Sequence, residues 1–229
     1  MPKFLLSSIG RKLIAAITGL GLLGFLLGHL AGNLQMFIGQ DAVNAYAVTL
    51  KDLGPILLAM RAGILAFALV HIVLTLKIAA ENKAARPEAY AAGGRVQSRA
   101  STRSMTLTGL VLIAFVLYHL AHFTWGLTHP EHSQLLDATG RHDVYSMVVM
   151  GFQQPLIAGL YVVAMVLLGL HLAHAGSSVF QTLGFKHART CAVMSRVGPV
   201  LGVLLAAGYI SIPLGVWFGI IALPAGVTP

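Results

Sequence analysis

The chain has 229 residues, 57% hydrophobic and only 10% charged, with a formal net charge of +8 and a mean hydropathy of +0.81. A soluble domain of this length needs more charge to cover its surface, and here the apolar residues fall in runs too long for buried core helices. The fold class is therefore an all-α transmembrane bundle of five helices, read as one domain over 1–229. A single cysteine, Cys191, excludes an intramolecular disulfide, a thiolate-only iron–sulfur site and the C-x-x-C-H attachment of a c-type haem.

In chain order, residues 1–12 carry Lys3, Arg11 and Lys12. No small-residue cleavage site follows, so the first helix is expected to stay in the mature protein. The first span is read over 13–38 and the second over 54–80, with an exposed segment, 39–53, between them. Residues 81–104 hold Pro87 and the pair Gly93–Gly94, so they should not form one unbroken helix. The third span is read over 105–127. The loop at 128–150 brings His129, His132 and His142 beside Glu131 and Asp143; solvated histidines are the expectation there, ahead of a metal site. The fourth and fifth spans are read over 151–178 and 197–223. Each of the five exceeds the roughly 20 residues needed to cross the hydrocarbon core.

Lysine and arginine orient the bundle. Lys3, Arg11 and Lys12, then Lys77, Lys83, Arg86, Arg95, Arg99 and Arg103, then Lys186, Arg189 and Arg196 share one side, twelve of the fifteen basic residues. Only Lys51, Arg61 and Arg141 fall toward the other. The positive-inside rule puts the N-terminus in the cytoplasm and the C-terminus outside. This placement accounts for the net charge without nucleic acid. The basic segment 81–104 suits anionic headgroups or a docked partner, and enforcing topology alone is an equal reading.

Six histidines, His29, His71, His119, His122, His171 and His174, lie within the spans. An ionisable side chain in a membrane is a functional candidate by default. One such histidine is commonly just a hydrogen-bonding group between helices, worth about 1 kcal/mol, but six on four of five helices call for more. At 1.5 Å per residue, His29 and His119 lie roughly 22 and 21 Å from the inner edge, and His71 and His171 about 9 and 12 Å. Two levels result, separated by roughly 10 Å. Two imidazoles at one depth on different helices suit the axial positions of one haem iron, with each second ring nitrogen held by a hydrogen bond. With both axial positions filled, such a group moves electrons and does not bind substrate.

Gly21, Gly24, Gly28 and Gly32 line one side of the first span, as room for a flat macrocycle or for close helix packing. The third span reads His119-Leu-Ala-His122, the fourth His171-Leu-Ala-His174 and the first His29-Leu-Ala-Gly32. Residues three apart share a helix face. The element common to all three is the first histidine, which favours His119 and His171 as ligands. His122 and His174 are then supporting groups, bonded to a propionate, or merely packed polar residues.

Taken together, Thr18-Gly19, His29-Leu-Ala-Gly-Asn33, Ala85-Arg-Pro87 with Tyr90, Tyr118-His-Leu-Ala-His122 with Phe123, Gly151-Phe-Gln-Gln-Pro155, Leu170-His-Leu-Ala-His174 and Phe180-Gln-Thr-Leu-Gly184 give the chain its likeness to a family. It resembles the single, five-helix cytochrome b anchor subunit of succinate:quinone oxidoreductase (succinate dehydrogenase or fumarate reductase, complex II) of the type with two b haems. The resemblance implies His29 and His119 on an outer haem and His71 and His171 on an inner one. It implies a flavoprotein subunit and an iron–sulfur subunit docked on the cytoplasmic face of a bacterial-type cytoplasmic membrane. Electrons then pass to a quinone, commonly menaquinone, and the succinate chemistry lies on the other subunits.

A quinone needs an apolar slot with donors for its carbonyls. Candidates are Ser7, Ser8 and Arg103 inside, and Asn33, Gln35, Asn44 and Trp125 outside. Arg11, Lys12 or Arg103 is expected to neutralise an inner-haem propionate. Two rival readings are the dihaem anchor of another respiratory dehydrogenase, whose partner commonly docks outside, and a histidine-relay proton channel or transporter. The latter predicts broken helices near mid-membrane, yet Pro199 and Pro213 fall on the histidine-free fifth span.

Overall fold

Proline and positive-φ glycine set most of the helix ends. The computed structural model describes Phe4, residues 7–85 and residues 105–227. Lys3, Arg86, Pro87, Tyr90, the pair Gly93–Gly94, Arg95, Arg99 and Arg103 lie outside these, and with them the expected break within 81–104. Among the described residues seven α-helices follow in order: α1 Ser8–Asn33, α2 Gln40–Asp52, α3 Pro55–Ala84, α4 Met105–His119, α5 Val144–Gln153, α6 Pro155–Thr182 and α7 Cys191–Trp217. A 3-10 turn, Leu34–Phe37, prolongs α1, and a π turn, Leu120–Thr124, prolongs α4. With these extensions, α1, α3, α4, α6 and α7 are each long and apolar enough to cross a membrane. The protein is an all-α bundle of the multi-pass class.

Three boundaries differ from the expectation. The segment 39–53 holds α2, set between Gly39 at φ +130° and Gly54 at φ +52°, backbone conformations that only glycine takes freely. The fourth span starts at Pro155 because Gln154 is extended (φ −81°, ψ 113°). A residue before proline disfavours the helical region, and proline itself suits the first helical turn. The stretch before it becomes the separate helix α5. The fifth helix runs six residues earlier at both ends than 197–223. Pro199 sits inside it and has no N–H for the carbonyl of Ser195, four residues back. The Ser177 hydroxyl of α6 donates to that carbonyl at 3.2 Å, so the helix continues past the proline.

Packing is uneven. α6 and α7 form the closest pair, with Gly169 and Gly176 meeting Gly198 and Gly202 backbone to backbone. A Cβ on Gly198 would lie 2.5 Å from the Ala173 carbonyl oxygen, and one on Gly176 would lie 2.6 Å from Gly198 Cα. α3 packs chiefly on α1 and has no buried residue. The Arg11–Glu81 ion pair, 2.9 Å, ties those two helices near one end of the bundle. That end is called the open end below.

The other end is capped by α2, α5 and the loop between α4 and α5. Its core gathers Met36, Val43, Tyr145, Val149, Phe152, Ile157, Ala158, Tyr161, Ile212, Val216 and Ile221. A buried polar network joins the cap. Asn44 donates to Asp137 and Asp143, each at 3.0 Å, and accepts from the Tyr145 backbone N–H at 3.2 Å. Asp143 also accepts from Gln40 at 2.8 Å and from the Ser146 N–H at 3.1 Å, capping α5. Arg141 bridges Asp137 and Asp41, both at 2.8 Å.

Burial pushes the Asp143 carboxyl up, but hydrogen bonds from Ser146, Asn44 and Gln40 outweigh it and hold the group below the ordinary carboxylate range. Asp137 behaves the same way, with Thr139, Asn44 and Arg141 overcoming desolvation. A carboxyl depressed in the folded state contributes stability that is full at neutral pH. That stability is lost as pH falls from the unfolded value, about 4, toward the folded one. The share of the stability owed to these two carboxylates should hold from pH 7 to about 5 and drop below about 4 in thermal melts. Asp143→Asn should melt lower at pH 7 and lose part of the acid-side slope; an unchanged slope would count against this cap.

Candidate cofactor site between the helices

Two Thr-Gly dipeptides hold two of the imidazoles. His71, on α3, lies against Thr18-Gly19 of α1: its Nδ1 is 3.0 Å from the Ala15 carbonyl oxygen and 3.4 Å from Thr18 Oγ1. His171, on α6, lies against Thr108-Gly109 of α4, with Nδ1 3.3 Å from Thr108 Oγ1. A Cβ on Gly19 would sit 3.0 Å from His71 Cε1, and one on Gly109 would sit 3.6 Å from His171 Cε1. Glycine is what lets the rings approach those helices.

These contacts assign the tautomers. A carbonyl oxygen only accepts, so the neutral His71 ring carries its proton on Nδ1. The Thr108 hydroxyl spends its one hydrogen on the Met105 carbonyl, 3.0 Å away, so it accepts from His171 Nδ1. Both rings are left with an Nε2 lone pair, the state a metal-ligating histidine needs, with the second nitrogen fixed by a hydrogen bond.

His29 and His119 meet at the second level, their ring centroids 5.9 Å apart and planes 81° apart. An imidazole nitrogen holds a first-row metal at about 2.0–2.1 Å. With about 1 Å more from nitrogen to ring centre, two rings on opposite sides of one ion have centroids about 6 Å apart. The centroid separation matches the spacing that axial ligation of a single metal would need. Phe25 stacks on His29 at 5.3 Å, and Tyr209 lies 6.1 Å from it. His71 touches α1 ten to fourteen residues before His29, and His171 touches α4 ten or eleven before His119. At 1.5 Å per residue the levels are about 15 Å apart along the helices, more than the roughly 10 Å expected. The difference arises because the ruler is now the neighbouring helix and not the distance to a charged residue.

Tyr161 of α6 separates the roles of His119 and His122. Its hydroxyl lies 3.3 Å from His119 Nδ1 and 3.1 Å from His122 Nδ1. With one hydrogen, it donates to one ring and accepts from the other. His122 is buried, stacked on Phe123 at 3.9 Å, and so close to Gly151 that a Cβ there would meet its Nε2 at 3.1 Å. The absent side chain at Gly151 is what makes room for that edge of the ring. His119, facing His29, is the ring with a place for one. His174 lies one helical turn beyond His171 and is half-buried.

The glycine run divides between its two readings. A Cβ on Gly21 would clash with Phe67 and one on Gly32 with Tyr46, so these serve packing. Beyond Gly24 and Gly28 nothing lies within 4 Å, which leaves open space beside His29. Among the polar candidates for a quinone, Asn44 has its donors and acceptor committed to the cap. Ser7 caps α1 through the Gly10 N–H, and Asn33 donates to the His29 carbonyl at 2.7 Å. Gln35 is half-buried and Ser8 and Trp125 are exposed. Arg11 is paired with Glu81. A cleft of about 120 Å³ lined by Phe152, Gln153, Pro155, Val216 and Trp217 opens at the capped end, smaller than ligand pockets usually are.

The parts that sequence reading missed are Tyr161 and the threonines. One signal was present: Thr18 precedes His29 by the same eleven residues by which Thr108 precedes His119. α1 with α3 and α4 with α6 thus repeat one arrangement, a Thr-Gly against the partner helix's histidine and a second histidine three turns on. Comparison with family models, with curated proteins and with solved structures finds no match to this chain.

Proposed function

We propose that this chain is the dihaem cytochrome b anchor of a succinate:quinone oxidoreductase, passing electrons between an iron–sulfur subunit and membrane quinone. The observation that carries the reading is the His29–His119 pair, on separate helices with centroids 5.9 Å apart. The His71 and His171 rings, each held through Nδ1, supply the second pair. Haem b bound at both levels would supply reversible one-electron transfer. The chain's own residues would hold it: Ala15, Thr18 and Thr108 fix the inner rings, and Tyr161 bonds His119.

The bias of lysine and arginine toward the open end supports a cytoplasmic position for that end. The flavoprotein and iron–sulfur partners dock there, and the capped end faces outward from a bacterial-type cytoplasmic membrane. The enzyme's succinate chemistry lies on those partners; this chain is its membrane subunit, with menaquinone or another quinone as its redox partner.

A reduced-minus-oxidised visible spectrum with pyridine haemochrome quantitation on the purified chain or complex is expected to give two b haems per polypeptide. One haem would remove a level, and none would overturn the reading. The proton-relay alternative has an observation of its own, the hydrogen-bonded chain His119–Tyr161–His122 with His129 5.8 Å beyond. It predicts a chain without a Soret band.

A further inference from the structure

We propose that His129, Glu131 and His132 form a binding site for a divalent transition-metal ion, zinc by its chemistry, at the capped end of the bundle. The loop expected to carry separate, solvated histidines instead draws these three together, with their ligand atoms all within 4.8 Å of one another. Glu131 Oε1 lies 3.2 Å from His129 Nδ1 and 3.8 Å from His132 Nε2. Tetrahedral zinc with bonds of about 2.0–2.1 Å needs ligands about 3.3 Å apart. The two contacts to Glu131 are within about 0.5 Å of that spacing, and the ligand atoms, all within 4.8 Å of one another, close on an ion by side-chain rotation. Imidazole with carboxylate is a donor set suited to zinc, and three protein ligands leave a fourth position for water.

The backbone holds the three residues in place. His132 N–H bonds the His129 carbonyl at 3.2 Å, and Ser133 N–H bonds that of Pro130 at 3.2 Å. The Ser133 hydroxyl donates to Pro130 at 2.7 Å, and His142 Nε2 donates to the Ser133 carbonyl at 2.8 Å. The two imidazoles stack with centroids 5.0 Å apart and planes 14° apart, an arrangement that two charged rings would oppose. His132 Nδ1 is buried and has no hydrogen-bond partner, which leaves this ring short of a polar contact on one side. A loop carboxylate bridging two histidines explains the 3.2 Å contact. It does not explain why a second ring is stacked and half-buried against the first.

The site stands apart from the proposed haem ligands and does not rest on that reading. It does touch the same region, since His129 lies edge-on to His122 at 5.8 Å. A metal here would fix His129 beside the ring that shares Tyr161 with His119.

The test uses the untagged full chain in detergent, titrated with Zn²⁺ by calorimetry and with Co²⁺ as a spectroscopic probe of coordination geometry. One ion per chain is expected, with a tetrahedral-type Co²⁺ absorption. His129→Ala with His132→Ala is expected to weaken binding at least about 100-fold and Glu131→Gln about tenfold. His187→Ala, at the open end, is expected to change nothing. If the double variant loses helix content or melts early, Glu131→Gln and single His129→Ala decide. Zinc binding that survives these substitutions, or no binding at millimolar zinc, overturns the proposal.

Discussion

With the two haems proposed for this chain, replacing His119 by alanine is expected to lower the haem content from two per polypeptide to one, whereas replacing His122 is expected to leave it at two. Both histidines reach the Tyr161 hydroxyl, at 3.3 and 3.1 Å, so distance alone does not choose between them. The choice comes from proton order and space. An axial ligand must present an unprotonated Nε2, so its Nδ1 carries the proton and donates to Tyr161; Tyr161 then donates to the other ring. His119 is assigned the first role because it faces His29, whereas His122 is buried and stacked on Phe123.

The same logic gives Tyr161→Phe a distinct signature. The haem count stays at two, and the outer midpoint potential rises, because an imidazole that loses the acceptor for its Nδ1 proton is a weaker donor to ferric iron. Pyridine haemochrome assays and a redox titration read these outcomes directly. Loss of a haem in His122→Ala with retention in His119→Ala would reverse the proton order and the ligand assignment with it.

Gly202→Val is expected to be the most damaging substitution outside the histidines. At Gly202 a Cβ would run into the Gly169 carbonyl oxygen and lie 3.2 Å from the Ala173 nitrogen. Overpacking usually costs about 1–3 kcal/mol when side chains can turn aside. Here the obstruction is backbone on both helices, so the loss should reach or exceed about 3 kcal/mol as α6 and α7 are forced apart. Unfolding in detergent mixtures, followed by helix content, measures it. Gly24→Ala is the control: nothing lies within 4 Å of that position, and alanine is the better helix former by about 0.5–1 kcal/mol, so stability should hold or rise. Equal losses at both sites would mean that the α6–α7 contact does not carry the fold.

Class and span number were legible in the sequence because they depend on a local quantity, the length of an apolar run against the bilayer thickness. The order of the histidines along each helix was legible for a related reason, since position along a helix follows from counting residues. The start of the fourth span was missed: the apolar run read from residue 151 is broken before Pro155, and the stretch ahead of it is the separate helix α5. The fifth helix was misplaced because Arg196 reads as a boundary, while the helix starts at Cys191 and passes Pro199 with the help of a Ser177 hydroxyl from α6.

Only the tertiary structure decided the rest. It showed which glycines pack and which face open space, that α2 and α5 close one end over a buried Asn44, that Tyr161 stands between two histidines, and that three loop residues converge. These features join groups 42 residues apart at His119 and Tyr161, 56 at Ala15 and His71, and about 100 at Asn44 and Asp143. Periodicity reports which face a residue occupies on its own helix. It carries no information about which other helix that face will meet, and the chemistry proposed here lies in those meetings.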